Sequence, residues 1–236
     1  MNSNKNLIGL VIVNHNCNSS NLVDKYVNKI LINHQSELLI SKKKEDLENI
    51  INSQDYIVIF GGDGTVFSTV QKIIDKNIAI VHFPNGTGNG LTNSLLYQSN
   101  LKIDTDLDKT YSYIYNRLDE FKYQDIDTMK ISMINSKIDY YSFLFLSFGT
   151  FANLDINSDW LRILGEVRFT IGAIIELLLY IFRCKTVKAK LEYKNDDGNI
   201  IIEDGNFTFF LANNLSHTSG SSITSPLSKP NDGYIY

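Results

Sequence analysis

The chain is poor in cysteine: Cys17 and Cys184 are its only two, and they lie far apart in sequence. They make neither a zinc spacing nor a disulfide framework, which fits a reducing compartment. It also lacks an excess of positive charge, with 22 Lys and Arg against 26 Asp and Glu. No global basic field exists to hold a polyanion, so nucleic acid is not an expected partner. No apolar run reaches membrane-spanning length; residues 171–182 come nearest and are interrupted by Glu176. The apolar run at 7–13 is short and no small-residue cleavage site follows it, so no signal peptide is expected. The four histidines have no ligand spacing to one another and receive no role. Repeats, low-complexity linkers and long charge runs are absent from the sequence. What is there is 43% hydrophobic residues in 236. That supplies a sizeable core in one large domain or two small ones.

Two glycine-rich stretches organise the rest. Gly61-Gly62-Asp63-Gly64-Thr65 follows an apolar, β-branched run at 55–60 and precedes a run with helical character at 66–74. Pro84-Asn85-Gly86-Thr87-Gly88-Asn89-Gly90 again lies between an apolar run, 78–82, and a helical pattern from Leu91. Glycines let backbone N–H groups approach an anion closely, and a helix N-terminus adds partial positive charge. An aspartate held there, Asp63, is a candidate base or part of a metal shell. One such stretch alone would equally be an ordinary turn; two in succession point to a phosphate site.

In chain order, residues 7–13 form a strand buried on both faces, and Leu22, Val23, Tyr26, Val27, Ile30 and Leu31 recur at helical spacing. A short strand at 37–40 follows. Ser41 is a candidate cap for a helix with Leu47, Ile50 and Ile51 on its buried face. This alternation predicts a doubly wound parallel α/β sheet, with ligands at the carboxyl ends of its strands. From about residue 121 the texture changes. Strands are expected at 122–134, 138–149, 185–194 and 205–213, in an antiparallel, β-sandwich-like second half with a helical insertion at 159–183. The expected domains are 1–120 and 121–236, divided on the change in periodicity alone.

Gly61-Gly-Asp-Gly-Thr65 followed by Pro84-x-Gly86-Thr-Gly-Asn89 resembles the diacylglycerol kinase catalytic domain, which sphingosine and ceramide kinases share. The first loop alone also occurs in NAD kinases. A third stretch narrows the likeness: Phe148 to Asp155, Asn157-Ser-Asp159, Leu161-Arg162 and residues 164–172 are similar to sphingosine kinases. The resemblance implies an ATP- and Mg²⁺-dependent lipid kinase, with an α/β nucleotide domain and a β-rich lipid domain. By position, Asp63 is implied as the base for the lipid's primary hydroxyl. Gly61, Gly62, Gly64 and Thr65, with Gly86, Thr87, Gly88 and Asn89, are implied to hold the phosphates. Asn14 and Ser41 match positions lining the nucleotide site, and Arg162 and Arg168 match arginines on the ATP phosphates. Asp155 is implied to read a sphingoid head group, with Phe169 on the substrate side; no metal ligand is assigned. A lipid substrate in turn implies cytoplasmic location with peripheral membrane contact.

Phosphoryl transfer suits this residue set, because it needs positioning and charge neutralisation more than covalent help. Taken without the resemblance, Arg162 and Arg168 read as solvated charges, Asp155 as a cap, and residues 171–182 as a core helix. The chain departs from the family's pattern in places. Residues 14–21 lack the usual glycines, Phe67 and Ser68 replace a polar pair, and Asn153 stands where an Asp is usual. The sequence ends three residues after Gly233, before the family's last strands. Two further readings therefore stand beside a sphingoid-base kinase. One is a diacylglycerol or ceramide kinase, and the other is an inactive or truncated relative that binds lipid or nucleotide without turnover.

Overall fold

The computed structural model describes residues 8–14, 21–41, 54–103, 106–120, 123–133, 137–149, 171–172, 174–175, 178, 186–220 and 222–236. By contact, the chain divides into two units, residues 1–144 with 214–236 and residues 145–213. The division therefore falls at 144 and 213, whereas periodicity placed it at 120. Residues 123–144 and the C-terminal stretch group with the first unit.

The first unit is built on four parallel strands in the order β2-β1-β3-β4. They are β1 (Gly9–Asn14), β2 (Ser36–Ser41), β3 (Tyr56–Gly61) and β4 (Ala79–Pro84). All of β3 is buried, as its unbroken apolar run Tyr56-Ile-Val-Ile-Phe60 requires of a central strand. Register sets Asn14 beside Ser41, and Gly61 beside Pro84, so these four residues share the carboxyl edge of the sheet. α1 (Asn21–Asn33) leads from β1 to β2, and α2 (Asp63–Ile73) from β3 to β4. Strand order therefore reverses between β1 and β3, the position where open α/β sheets bind ligands.

One face of the sheet packs on α1 and on α4 (Leu107–Asp119) through a cluster containing Val11, Tyr26, Ile30, Val58, Phe60, Phe83 and Tyr111. Phe60 and Phe83 stack at 4.4 Å and Tyr111 meets Phe83 edge-on at 5.1 Å. Such aromatic pairs add about 0.5–1.5 kcal/mol each beyond their buried area. Ile12, Ile57 and Ile59 point to the opposite face and are fully buried too. α3 (Gly90–Gln98) follows β4. An antiparallel pair, β5 (Met129–Ser132) and β6 (Asp139–Ser142), completes the strands of this unit.

The second unit holds two antiparallel ladders. β7 (Phe145–Gly149) pairs with β10 (Phe209–Asn213), and β8 (Val187–Lys194) pairs with β9 (Ile200–Phe207). A turn at Asn195-Asp-Asp-Gly198 closes the second ladder, with Gly198 at φ +80°. The expected strand 138–149 is interrupted at residues 143–144, and the expected strand 205–213 is two strands parted at Thr208. Among the described residues the antiparallel structure is a set of two-stranded ladders and not one continuous sandwich. Residues 171, 172, 174, 175 and 178 are helical. The rest of the expected insertion, and the expected helix after Ser41, lie outside the described residues.

Candidate functional site

β3 ends on Gly61, and α2 begins two residues later at Asp63. The helix thus starts inside the Gly-Asp-Gly sequence, three residues before its apolar pattern. Gly62 is its N-cap, in extended backbone, and no side chain caps it. Thr65 N–H donates to the Gly62 carbonyl at 2.9 Å. The N–H groups of Gly62, Asp63 and Gly64 find no hydrogen-bond partner among the described residues, which is the state of an anion-binding helix start. Gly61 has to be glycine here, because a Cβ would lie 2.8 Å from Thr65 Oγ1. Asn14 Nδ2 donates to the same Oγ1 at 2.7 Å, tying the end of β1 to the loop.

The second loop is a self-clamped turn. Asn89 takes a left-handed backbone conformation, φ 50°. Its side chain accepts from Gly86 N–H at 2.9 Å and donates to the Gly86 carbonyl at 2.7 Å. Gly86 was expected to offer its N–H to a phosphate; Asn89 occupies that donor instead. Among the described residues, the N–H groups of Thr87, Gly88 and Asn89 have no partner.

Asp63 joins the two loops. Its Oδ2 accepts from Gly90 N–H at 2.8 Å and its Oδ1 from Leu91 N–H at 3.1 Å. Both oxygens are therefore engaged by the first turn of α3, which satisfies two donors that a helix start leaves open. A carboxylate has about four acceptor positions, so two remain for a substrate proton or a cation.

Sequence reasoning passed over three contributors. His82, buried in β4, is within 2.8 Å of both the Gly61 carbonyl and Thr92 Oγ1. Burial lowers its pKa, outweighing the opposing influence of Asp63 and the Gly61 carbonyl. The ring is neutral near pH 7, with Nε2–H donating to the carbonyl. Its signal was a lone imidazole within the run Ala79-Ile-Val-His-Phe83, immediately before a glycine loop. The second contributor is Ser219, which lies behind Gly88, 3.7 Å from where a Cβ would stand. The third is His217, whose backbone N–H donates to Ser94 Oγ at 3.0 Å, fastening the 214–220 stretch under α3.

The structure thus brings together Asn14, Ser41, Gly61, Gly62, Asp63, Gly64, Thr65, Gly86, Thr87, Gly88 and Asn89 at one end of one sheet. Asp155, Arg162, Arg168 and Phe169 lie outside the described residues.

Comparison with known proteins gives the same direction. Residues 9–124 match the diacylglycerol kinase catalytic domain. Sphingosine kinase 1 of Arabidopsis thaliana is 29% identical over 151 residues, 59% of this chain and 30% of that protein. Sphingosine kinase 1 of Mus musculus is 24% identical over 157 residues, 60% of this chain and 40% of its own length. The matches thus span well under half of each relative. The crystal structure of a diacylglycerol kinase from Bacillus anthracis str. Sterne superposes with a TM-score of 0.63 at 17% identity. It covers 96% of this chain and 73% of that one, a likeness of fold. Residues 9–124, which carry the four-stranded parallel sheet and its paired glycine loops, are thus similar to the diacylglycerol kinase catalytic domain.

Proposed function

We propose that this chain carries the nucleotide-binding part of an ATP-dependent lipid kinase that phosphorylates the primary hydroxyl of a sphingoid base. The observation that carries the reading is the convergence of both glycine loops, Asn14, Ser41 and Asp63 at the carboxyl edge where the strand order reverses. Uncapped N–H groups at Gly62, Asp63 and Gly64 suit phosphate oxygens. Asp63 is the base: its fixed carboxylate takes the hydroxyl proton as the oxygen attacks the γ-phosphorus and ADP leaves. A positioned base contributes roughly 10²–10⁴-fold in rate.

Among the described residues no three acidic, His or Cys side chains gather into a metal cage. A lone carboxylate beside a phosphate site fits Mg²⁺ carried on the nucleotide, since that ion is commonly held by one or two carboxylates and substrate phosphates. The ion would neutralise phosphate charge there. The choice of a sphingoid base over diacylglycerol or ceramide rests on the named relatives. Contact with membrane lipid would be peripheral; among the described residues no helix is long and apolar enough to cross a bilayer.

A second reading has one observation in its favour. Both oxygens of Asp63 are engaged by backbone N–H groups, which suits an anchor that binds nucleotide without turnover. Phosphoryl transfer from labelled ATP in Mg²⁺, with sphingosine, diacylglycerol and ceramide offered in parallel micelles, separates the two. Transfer to sphingosine that Asp63→Asn removes is the expected result. No transfer to any lipid by a folded protein that binds ATP would establish the second reading.

A further inference from the structure

β4 carries one polar side chain, His82, into a buried position. His82 stands between the last residue of β3 and the first turn of α3, touching the Gly61 carbonyl and Thr92 Oγ1 at 2.8 Å each. A carbonyl oxygen can only accept, so Nε2 carries the proton toward Gly61. Nδ1 then accepts from the Thr92 hydroxyl, which fixes both the tautomer and the plane of the ring.

The Gly61 carbonyl also accepts from Asn85 N–H at 2.8 Å, so two donors from the β4 side hold it. No peptide bond in the described chain is cis. In a trans peptide the C=O and the following N–H point in opposite directions. Pinning the Gly61 carbonyl toward β4 therefore turns the Gly62 N–H toward β1, which lies on the other side of β3. That is the crevice where the strand order reverses, and where Asn14 ends β1 beside Thr65. Glycine on both sides of this peptide leaves its plane free to rotate, so an external tether is what sets it.

We infer that His82 is a positioning residue of the phosphate site, which holds the Gly61–Gly62 peptide so that the Gly62 N–H faces the nucleotide phosphates. The inference rests on the nucleotide reading proposed above and adds a device to it. His82 touches no phosphate; it acts through a backbone peptide, and Thr92 acts through His82. The second glycine loop contributes the remaining tether through Asn85. Removing His82 leaves that one donor on the carbonyl, so the peptide loosens but is not released.

The test is calorimetric titration of ATP with Mg²⁺ into wild type, His82→Leu, His82→Gln and Thr92→Val, with circular dichroism and urea unfolding of each. Leu fills the space and donates nothing. Gln places an amide N–H near the position of Nε2, so it is the rescuing variant. One lost orienting hydrogen bond corresponds to roughly a 10-fold change in Kd. The expected result is that His82→Leu weakens ATP about 10-fold while His82→Gln stays within about 2-fold of wild type. A merely structural His82 would lower the urea midpoint in both variants and leave their Kd values alike. Equal losses in Leu and Gln, or wild-type affinity in folded His82→Leu, overturn the inference. If His82→Leu does not fold, Thr92→Val decides: weaker ATP supports the tether, and unchanged ATP overturns it. Wild type that binds no ATP overturns the nucleotide reading itself and this inference with it, an outcome distinct from binding that ignores His82.

Discussion

Gly62 and Gly86 meet backbone to backbone: a Cβ built on Gly86 would lie 2.6 Å from the Gly62 Cα. From the other side, a Cβ on Gly62 would lie 3.1 Å from the Gly86 Cα. The two loops, 24 residues apart in sequence, are one surface because neither carries a side chain at the crossing. Nearby, Asn89 clamps one loop and His82 tethers the other. The site is therefore assembled from backbone, and its shape depends on small residues where side chains would part the loops.

Gly86→Ala tests this directly. The added methyl faces backbone, which cannot swing aside as a flexible side chain would, so the loops must separate. Overpacking of this kind costs about 1–3 kcal/mol. The urea midpoint should fall accordingly, and ATP binding should weaken by at least 10-fold, because the N–H groups of the two loops no longer converge. Unchanged ATP affinity in Gly86→Ala would show that the crossing does not shape the phosphate site. Gly64→Ala is the control: nothing lies within 4 Å of its Cβ position, and its stability should match wild type.

Asp63 predicts a mixed phenotype. Asn in its place keeps one acceptor oxygen but points an amide N–H₂ at a backbone N–H, Gly90 or Leu91. Loss of one charge-assisted hydrogen bond is about 1.5–3 kcal/mol. Asp63→Asn should therefore lower the urea midpoint as well as abolish turnover. Activity lost with stability unchanged would mean that the α3 contacts contribute little and that Asp63 acts on substrate alone. Activity retained would remove Asp63 from the role of base.

The parallel sheet was legible because β1 and β3 are short unbroken apolar runs, ended by Asn14 and Gly61, and because strand and helical patterns alternate along the chain. The glycine loops were legible because strand, glycines and helix follow one another directly. α4 was not read, although Asp106 caps it by accepting from Asp108 N–H and Leu107, Tyr111, Ile114 and Leu118 recur at helical spacing. Tyr111, Tyr113 and Tyr115 superimpose a two-residue period on that pattern and mask it. The start of α2 at Asp63 was missed because Gly-Asp-Gly has poor helix propensity; the α3 N-terminus, 27 residues on, holds the carboxylate in place. No spacing rule reports such a contact. The place of residues 214–228 was equally hidden, since serines and asparagines read as a loop anywhere. Asn214 settles it by donating to the Asp127 and Phe143 carbonyls at 2.6 and 2.9 Å.

Acid should weaken the fold before the carboxylates titrate. Burial lowers the pKa of both His82 and His217 from the ordinary value of 6.5. Above that value both rings are neutral whether folded or not, and they contribute nothing to the pH dependence. As pH falls below it, the unfolded chain takes up protons that the folded chain resists, so stability is lost. The limiting slope is about 1.4 kcal/mol per pH unit for each histidine. The carboxylates held low, Asp108 by Lys25 and Asp139 by Lys130, join only below about pH 4. The urea midpoint should therefore drop between pH 7.5 and 5.5, and His82→Gln should show a smaller drop. An equal drop in the variant would mean that His82 charges as easily in the fold as outside it.

Gln71 predicts how the β5–β6 pair is held. On the α2 face it donates from Nε2 to the Tyr141 carbonyl at 2.7 Å and accepts from Tyr141 N–H at 2.9 Å. The primary amide thus copies the two-bond exchange of a neighbouring strand, closing one position on the open side of β6. Gln71→Ala leaves a half-buried N–H and C=O without that partner, and the penalty for such groups is about 1–3 kcal/mol. Gln71→Glu keeps the acceptor but sets a carboxylate oxygen against the Tyr141 carbonyl, so it should destabilise at least as much despite its nearly identical shape. Amide exchange at Tyr141 is the sharper measurement: protection should collapse in both variants while β3 amides stay protected. Retained protection at Tyr141 in Gln71→Ala would show that the ladder to Lys130 holds β6 without help from the helix that begins at Asp63.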